Sequence, residues 1–231
     1  MENKKVLITG LGGSIAVHFL AHILHNSDWE VIGIDSFNHR GYSDRLHEVK
    51  KHDPGWIGRW KVITHDLTAP FSEMTKKKIG RIDYIINLAS LSDVEASIAE
   101  PVPFVKNNVS IMLNMLEYAR EVKPKAFVQI GTDEEMGAVK EGEMPDEWAS
   151  VVPSNPYSAS KAAMTCLGIA WWRTYDVPVI LTNTCNNYGE MQSSAKFPVI
   201  VQKKLMKDEV VTIHGNKNEV GARYYIHSRN F

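Results

Sequence analysis

Short apolar runs alternate with longer amphipathic segments through most of this sequence, the pattern of a parallel sheet wrapped by helices. The short runs predict strands at Lys5–Thr9, Glu30–Asp35, Trp60–His65, Tyr84–Leu88, Ala126–Gly131 and Val177–Thr182. Each is rich in β-branched or aromatic residues and bounded by turn formers. The longer segments predict helices over Ser14–His25, Pro101–Glu121 and Pro156–Tyr175. Consecutive strands lie far enough apart for a crossover connection, as parallel pairing requires. The expected fold class is therefore α/β, a doubly wound parallel sheet. After about Asn183 the alternation fades, and Asn186-Asn187-Tyr188-Gly189 reads as a turn into a different substructure. The expected division is a domain of residues 1–182 followed by a partial region, 183–231. Lys140–Asn155, rich in Glu, Pro and Ser, reads as a surface loop.

Composition narrows the class. The chain has 231 residues, 44% hydrophobic and 23% charged, as expected of a globular protein. A formal net charge of −1 gives no electrostatic case for nucleic acid. The run Lys76-Lys77-Lys78 is most simply a solvated segment. Cys166 and Cys185 lie far apart, which excludes a CxxC metal knuckle and suits a reducing compartment. No metal site is expected. Lys4-Lys5 leads into a strand too short for a signal peptide or membrane span, so a cytoplasmic protein without membrane association is the expectation.

The first strand ends in Thr9-Gly10-Leu11-Gly12-Gly13-Ser14-Ile15-Ala16 and enters a helix. Glycines allow a tight turn and let backbone N–H groups approach a pyrophosphate at the helix N-terminus. Small Ala16 lets the helix pack close to the strand. A glycine turn alone also serves an ordinary βα connection, but this one follows the first strand and is answered by Asp35 at the end of the second. A carboxylate about 20 residues beyond the turn can hydrogen-bond adenosine ribose hydroxyls and repels a 2′-phosphate, favouring NAD over NADP. Asp66, after the third strand, is spaced to reach adenine. Either aspartate alone reads equally as a loop cap.

Tyr157 and Lys161 stand four apart in Tyr157-Ser158-Ala159-Ser160-Lys161, so they project from one helix face. A nearby ammonium is expected to lower the tyrosine pKa from about 10 and let Tyr157 act as a base. The fifth strand ends in Gly131-Thr132-Asp133-Glu134. Thr132 can hydrogen-bond a reacting hydroxyl, and Asp133 and Glu134 offer two carboxyls that different environments could split into acid and base. In isolation the same acids could simply cap a turn.

With these motifs, and with Asn87-Leu88-Ala89, Asn108 and Asn155-Pro156-Tyr157, the chain resembles the extended short-chain dehydrogenase/reductases, the NAD-dependent epimerase/dehydratase family. Within it the chain looks most like the dTDP-glucose 4,6-dehydratases. The resemblance implies a Rossmann-like domain with a truncated C-terminal substrate-binding lobe. It implies NAD held by Gly10, Gly13, Ser14, Ile15, Asp35, Ser36, Asp66, Leu67, Leu88, Ala89, Tyr157 and Lys161. It implies a nucleotide-diphosphate sugar touched by Ser92, Thr132, Asn187, Lys196 and Arg223. The implied chemistry is oxidation at C4 with Tyr157 as base and Thr132 orienting. Removal of the C5 proton by Glu134 and protonation of the departing 6-hydroxyl by Asp133 follow, with hydride returned to C6. A homodimer through the helices Pro101–Glu121 and Pro156–Tyr175 is also implied, although Met112, Met115, Leu116, Trp171 and Trp172 on them read mostly as core.

The chain departs from the family at Leu91-Ser92-Asp93-Val94-Glu95-Ala96, at Met136, and over Arg223-Tyr224-Tyr225-Ile226-His227 with Arg229 and Asn230. Three readings result: a nucleotide-sugar dehydratase; a 4-epimerase or decarboxylase using the same Tyr–Lys oxidation; or a non-catalytic NAD-binding or assembly protein. Thr132-Asp133-Glu134 puts dehydration first.

Overall fold

The computed structural model describes residues 3–39, 41–52, 54–139, 142, 145–213, 215 and 221–231. The chain runs β1 (Lys5–Thr9), α1 (Ala16–Asn26), β2 (Glu30–Asp35), α2 (Ser43–His52), β3 (Trp60–Thr64), α3 (Glu73–Ile79), β4 (Tyr84–Asn87), α4 (Val94–Ala99), α5 (Pro101–Val122), β5 (Ala126–Thr132), α6 (Pro156–Tyr175) and β6 (Val179–Thr184). These six strands form one parallel sheet in the order β3-β2-β1-β4-β5-β6. This is the doubly wound, Rossmann-like arrangement, and the strand order reverses between β1 and β4. Beyond it lie β7 (Asn186–Tyr188), α7 (Phe197–Leu205) and β8 (Tyr225–His227), and β7 pairs with β8 in a separate small parallel sheet.

The continuous apolar character of the central strands has a simple cause: both faces of the sheet are covered. Val6 and Ile8 pack with Val17, Leu20 and Leu24 of α1 and Leu46 of α2. Leu7, pointing the other way, packs with Ile85, Phe127 and Met112, Met115 and Leu116 of α5, together with Met164 of α6. Val17, Leu20 and Leu24 recur at helical spacing, which commits one face of α1 to the sheet. Met112, Met115 and Leu116 are wholly buried, so they belong to the core. Trp171 packs against the same cluster, but Trp172 is half-exposed.

Element boundaries differ from the sequence expectation where a cap intervenes. The first helix starts at Ala16 because residues before it form a turn closed by Gly13 N–H on the Gly10 carbonyl at 2.8 Å. The sixth strand begins at Val179, not Val177, because the Val177 N–H is taken by the Trp171 carbonyl at the end of α6. It runs on to Thr184, pairing Asn183 with Gly131 and Thr184 with Thr132. α2, α3, α4 and α7 are short and were not anticipated, and neither were β7 and β8. Within the expected loop Lys140–Asn155, residues Lys140, Glu141, Glu143 and Met144 lie outside the described residues, and the remainder holds no helix or strand.

At the switch point the buried Thr9 hydroxyl donates to Asn87 Oδ1 at 2.7 Å and accepts from the Leu88 and Ala89 N–H groups, both at 3.0 Å. Asn87 in turn donates to Gln129 Oε1 at 2.7 Å, extending the network to β5. Thr9→Val preserves shape but leaves buried polar partners without a bond. It should destabilise the fold by about 2–4 kcal/mol, measured by urea denaturation; a loss under about 0.5 kcal/mol would show the network to be dispensable.

Candidate active site

The glycine turn is shaped from both sides. Gly10 has a φ of +66°, and a Cβ there would come within 3.0 Å of the Ala89 Cα. Its N–H donates to the Ile34 carbonyl at 2.7 Å, seating the turn on β2. Asp35, buried at the end of β2, accepts from Gly12 N–H (2.8 Å) through one oxygen and from Phe37 N–H (2.8 Å) through the other. Arg45 donates to the Gly12 carbonyl at 2.7 Å and to the Met191 carbonyl at 2.8 Å, tying the turn to the segment after β7. Ile15 stands at the N-cap of α1 without a side-chain hydrogen bond. The Ser14 and Ile15 N–H groups have no hydrogen-bond partner among the described residues. An uncapped helix start behind a glycine turn fits a pyrophosphate.

The other cofactor candidates are spread along the same sheet edge. Ser36 accepts from Asn38 N–H at 3.3 Å, and Leu88 and Ala89 are held by Thr9. Leu67 is buried, and its carbonyl accepts from Asn114 at 2.9 Å. Asp66 is exposed and caps its own turn, accepting from the Thr68 N–H and hydroxyl at 2.9 and 2.8 Å; these bonds lower its pKa.

The catalytic candidates converge at the end of β5. Asn155 and Ser158 form a reciprocal cap with Pro156 in the first turn, which fixes the start of α6. The Tyr157 N–H donates to Ser97 Oγ on α4 at 3.1 Å, and Asn108 of α5 donates to Ser160 Oγ at 2.8 Å. Three helices therefore aim this face at β5. The Tyr157 phenol lies beside Thr132 and feels the charges of Glu134, Glu135 and Asp133. Asn155 Nδ2 donates to Glu134 Oε2 at 3.4 Å, and the Thr132 hydroxyl donates to Asp133 Oδ1 at 3.2 Å. Burial raises the Asp133 pKa, with Thr132 and Arg223 acting against it.

One expectation is corrected. The Tyr157 pKa is raised, not lowered: burial is the largest cause, followed by the Glu134 carboxylate. The Lys161 ammonium donates to the Ile130 carbonyl, and burial lowers its own pKa to about 8 while Glu135 acts to raise it. The four-residue spacing put phenol and ammonium on one helix face, but it could not register the carboxylates that the β5 turn brings to the same phenol.

The substrate candidates form a looser set. Lys196 donates to the Ser92 carbonyl at 3.2 Å, bringing those two together across the chain. Asn187 donates to Thr184 Oγ1 at 2.8 Å and the Cys185 carbonyl at 3.1 Å, while its buried Oδ1 has no partner among the described residues. Arg223 is exposed, yet close enough to influence Asp133. Sequence reasoning missed Glu135, Asn183 and Arg45. Asn183 donates to the Thr132 carbonyl at 3.0 Å. No local pattern distinguishes these three from surface polar residues, although Glu135 adjoins the acidic pair.

The profile of the family described as NAD dependent epimerase/dehydratase matches residues 6–230, and the chain belongs to that family. It is 31% identical over 222 residues to the low-salt glycan biosynthesis protein Agl12 of Haloferax volcanii, covering 96% of this chain and 69% of that protein. It is 32% identical over 225 residues to a dTDP-glucose 4,6-dehydratase of Haemophilus influenzae, covering 93% of this chain and 65% of the relative's length. Among solved structures, the dTDP-glucose 4,6-dehydratase DesIV of Streptomyces venezuelae, with NAD and TYD bound, superposes with a TM-score of 0.85 at 28% identity. That match covers 97% of this chain and 68% of DesIV. A UDP-glucuronic acid 4-epimerase from Bacillus cereus shares the fold, with a TM-score of 0.84 at 22% identity. Among the described residues no helix is long and apolar enough to cross a membrane.

Burying Lys161 has an energetic consequence. Its pKa falls from 10.5 to about 8 on folding, so the unfolded chain binds the proton more tightly. The resulting cost is complete below pH 8 and fades as the pH rises through the window between those values. Lys161→Met should therefore stabilise the protein at pH 7 by about 1–3 kcal/mol, the lost bond to Ile130 offsetting part. The gain should shrink toward pH 10.5, read by thermal melts across that range; a variant destabilised at every pH would refute this account.

Proposed function

We propose that this chain carries the cofactor and catalytic half of a nucleotide-sugar 4,6-dehydratase, acting on a nucleoside-diphosphate hexose of the dTDP-glucose kind. The observation that carries the reading is the grouping of Thr132, Asp133 and Glu134 around the Tyr157 phenol. Oxidation alone needs the phenol and a cation; elimination of water needs an acid and a base in addition.

In this reading residues 1–182 hold NAD and residues 183–231 form part of the sugar-binding region. The Ser14 and Ile15 N–H groups would hold the pyrophosphate of NAD, Asp35 its adenosine ribose and Lys161 its nicotinamide ribose. Bound NAD supplies the ring that accepts and later returns hydride, and brings positive charge to the site. Tyr157 takes the proton of the sugar 4-hydroxyl, with Thr132 orienting that hydroxyl. The ketone at C4 acidifies the C5 proton, which Glu134 removes. Asp133 gives a proton to the 6-hydroxyl as it departs as water; the burial that raises its pKa favours the protonated form this step needs. Lys196 and Arg223 are the candidate cations for the substrate pyrophosphate. The likeness to dTDP-glucose 4,6-dehydratases supports the same choice over epimerisation. The chain spans 65% of that relative's length.

The test is incubation of the NAD-loaded protein with a panel of nucleoside-diphosphate sugars, followed by mass spectrometry. A product lighter by one water, with a 4-keto group, is expected. An isomeric hexose would select an epimerase, loss of carbon dioxide a decarboxylase, and tight NAD binding without turnover a binding protein. Glu134→Gln should abolish water loss and leave NAD affinity unchanged; undiminished turnover in that variant would remove Glu134 from the mechanism.

A further inference from the structure

The elimination uses Asp133 and Glu134, yet the most deeply buried carboxylate of the group is the next residue. Glu135 is only 1% exposed, at the turn that follows β5. Its Oε1 accepts the Thr132 N–H at 3.0 Å. The carboxylate lies directly over Gly131, where a Cβ would stand 2.7 Å from Oε1 and 2.6 Å from the Thr182 carbonyl. Only glycine fits beneath it. On the other side of Gly131 the Ile130 carbonyl accepts the Lys161 ammonium, itself 3% exposed. A buried anion and a buried cation thus bind the two peptide groups flanking one glycine. They form no contact ion pair among the described residues.

We propose that Glu135 is a positioning residue of this site: it pins the corner of β5 that carries Thr132 and supplies the counter-charge that keeps buried Lys161 an ammonium. The value of the second role rests on the reading of Lys161 as a cofactor ligand; the charge coupling itself does not. An isolated ammonium in such a place would lose its proton near neutral pH. Among the charges near the pair, Asp133 and Glu134 bear on Tyr157, and β5 contributes only a carbonyl dipole to Lys161. Glu135 is the carboxylate that bears on Lys161, and it bears on Tyr157 as well. Removing its charge should move both groups to lower pH together.

The experiment is a titration of the whole chain labelled with 13C at the lysine ε-carbon, with Lys161 assigned by its absence in Lys161→Met. Glu135→Gln keeps an acceptor for Thr132 N–H and removes only the charge. The Lys161 midpoint should fall by about one pH unit from its wild-type value; an unmoved midpoint overturns the proposal. Should Glu135→Gln fail to fold, the same lysine signal is followed in Glu135→Asp, whose shorter side chain draws the carboxylate back; a Lys161 midpoint unmoved from wild type overturns the proposal. Neither titration needs substrate. A protein that shows the coupling but turns over no nucleotide sugar would retain this inference while the dehydratase reading falls.

Discussion

The hydroxyl of Thr9 governs how the rest of the site is arranged. It sits where β1 ends and binds the side chain of Asn87 and the next two N–H groups of the neighbouring strand. In a parallel sheet whose order reverses between these strands, the crevice at their carboxyl ends is where a ligand can enter. Fixing β4 against β1 there fixes Ala89, and Ala89 is the residue that would collide with any side chain at Gly10. The turn, the crevice and the strand ends are consequently one construction. Gln129, reached through Asn87, carries the same registration to β5 and so to the acidic turn.

The acidic turn and the buried lysine impose a cost that packing elsewhere must offset. Placing an ammonium against a backbone carbonyl and away from water is unfavourable unless opposite charge lies close. The fold has large apolar clusters on both faces of the sheet from which to bear it. Strain of this kind concentrated at one strand end is what functional sites exhibit. The raised phenol of Tyr157 belongs to the same picture: burial and the neighbouring carboxylates favour its protonated form.

The region after β6 is anchored differently. Arg45 reaches from α2 to Met191, and Glu190 pairs with Arg229 and His227 beside His18 of α1. Burial lowers the His18 pKa, and the Glu190 backbone and side chain act against that. These are polar ties, some of them made by buried side chains such as Arg45 and His18.

By itself the sequence determined the six-stranded parallel sheet, because doubly buried strands must be apolar and their connections must be long. It also located the glycine turn with Asp35, and the Tyr157–Lys161 and Thr132–Glu134 segments, because each is a local motif whose residues lie within a turn or two of one another. Short α2, α3, α4 and α7 were illegible: their few residues carry too little periodicity to stand out. Only the tertiary structure decided the electrostatics. That Tyr157 is raised, that Lys161 binds Ile130, and that Glu135 lies over Gly131 all follow from α6 being packed on β5. Charge interactions depend on distance and burial, and neither is written in the spacing of residues along the chain.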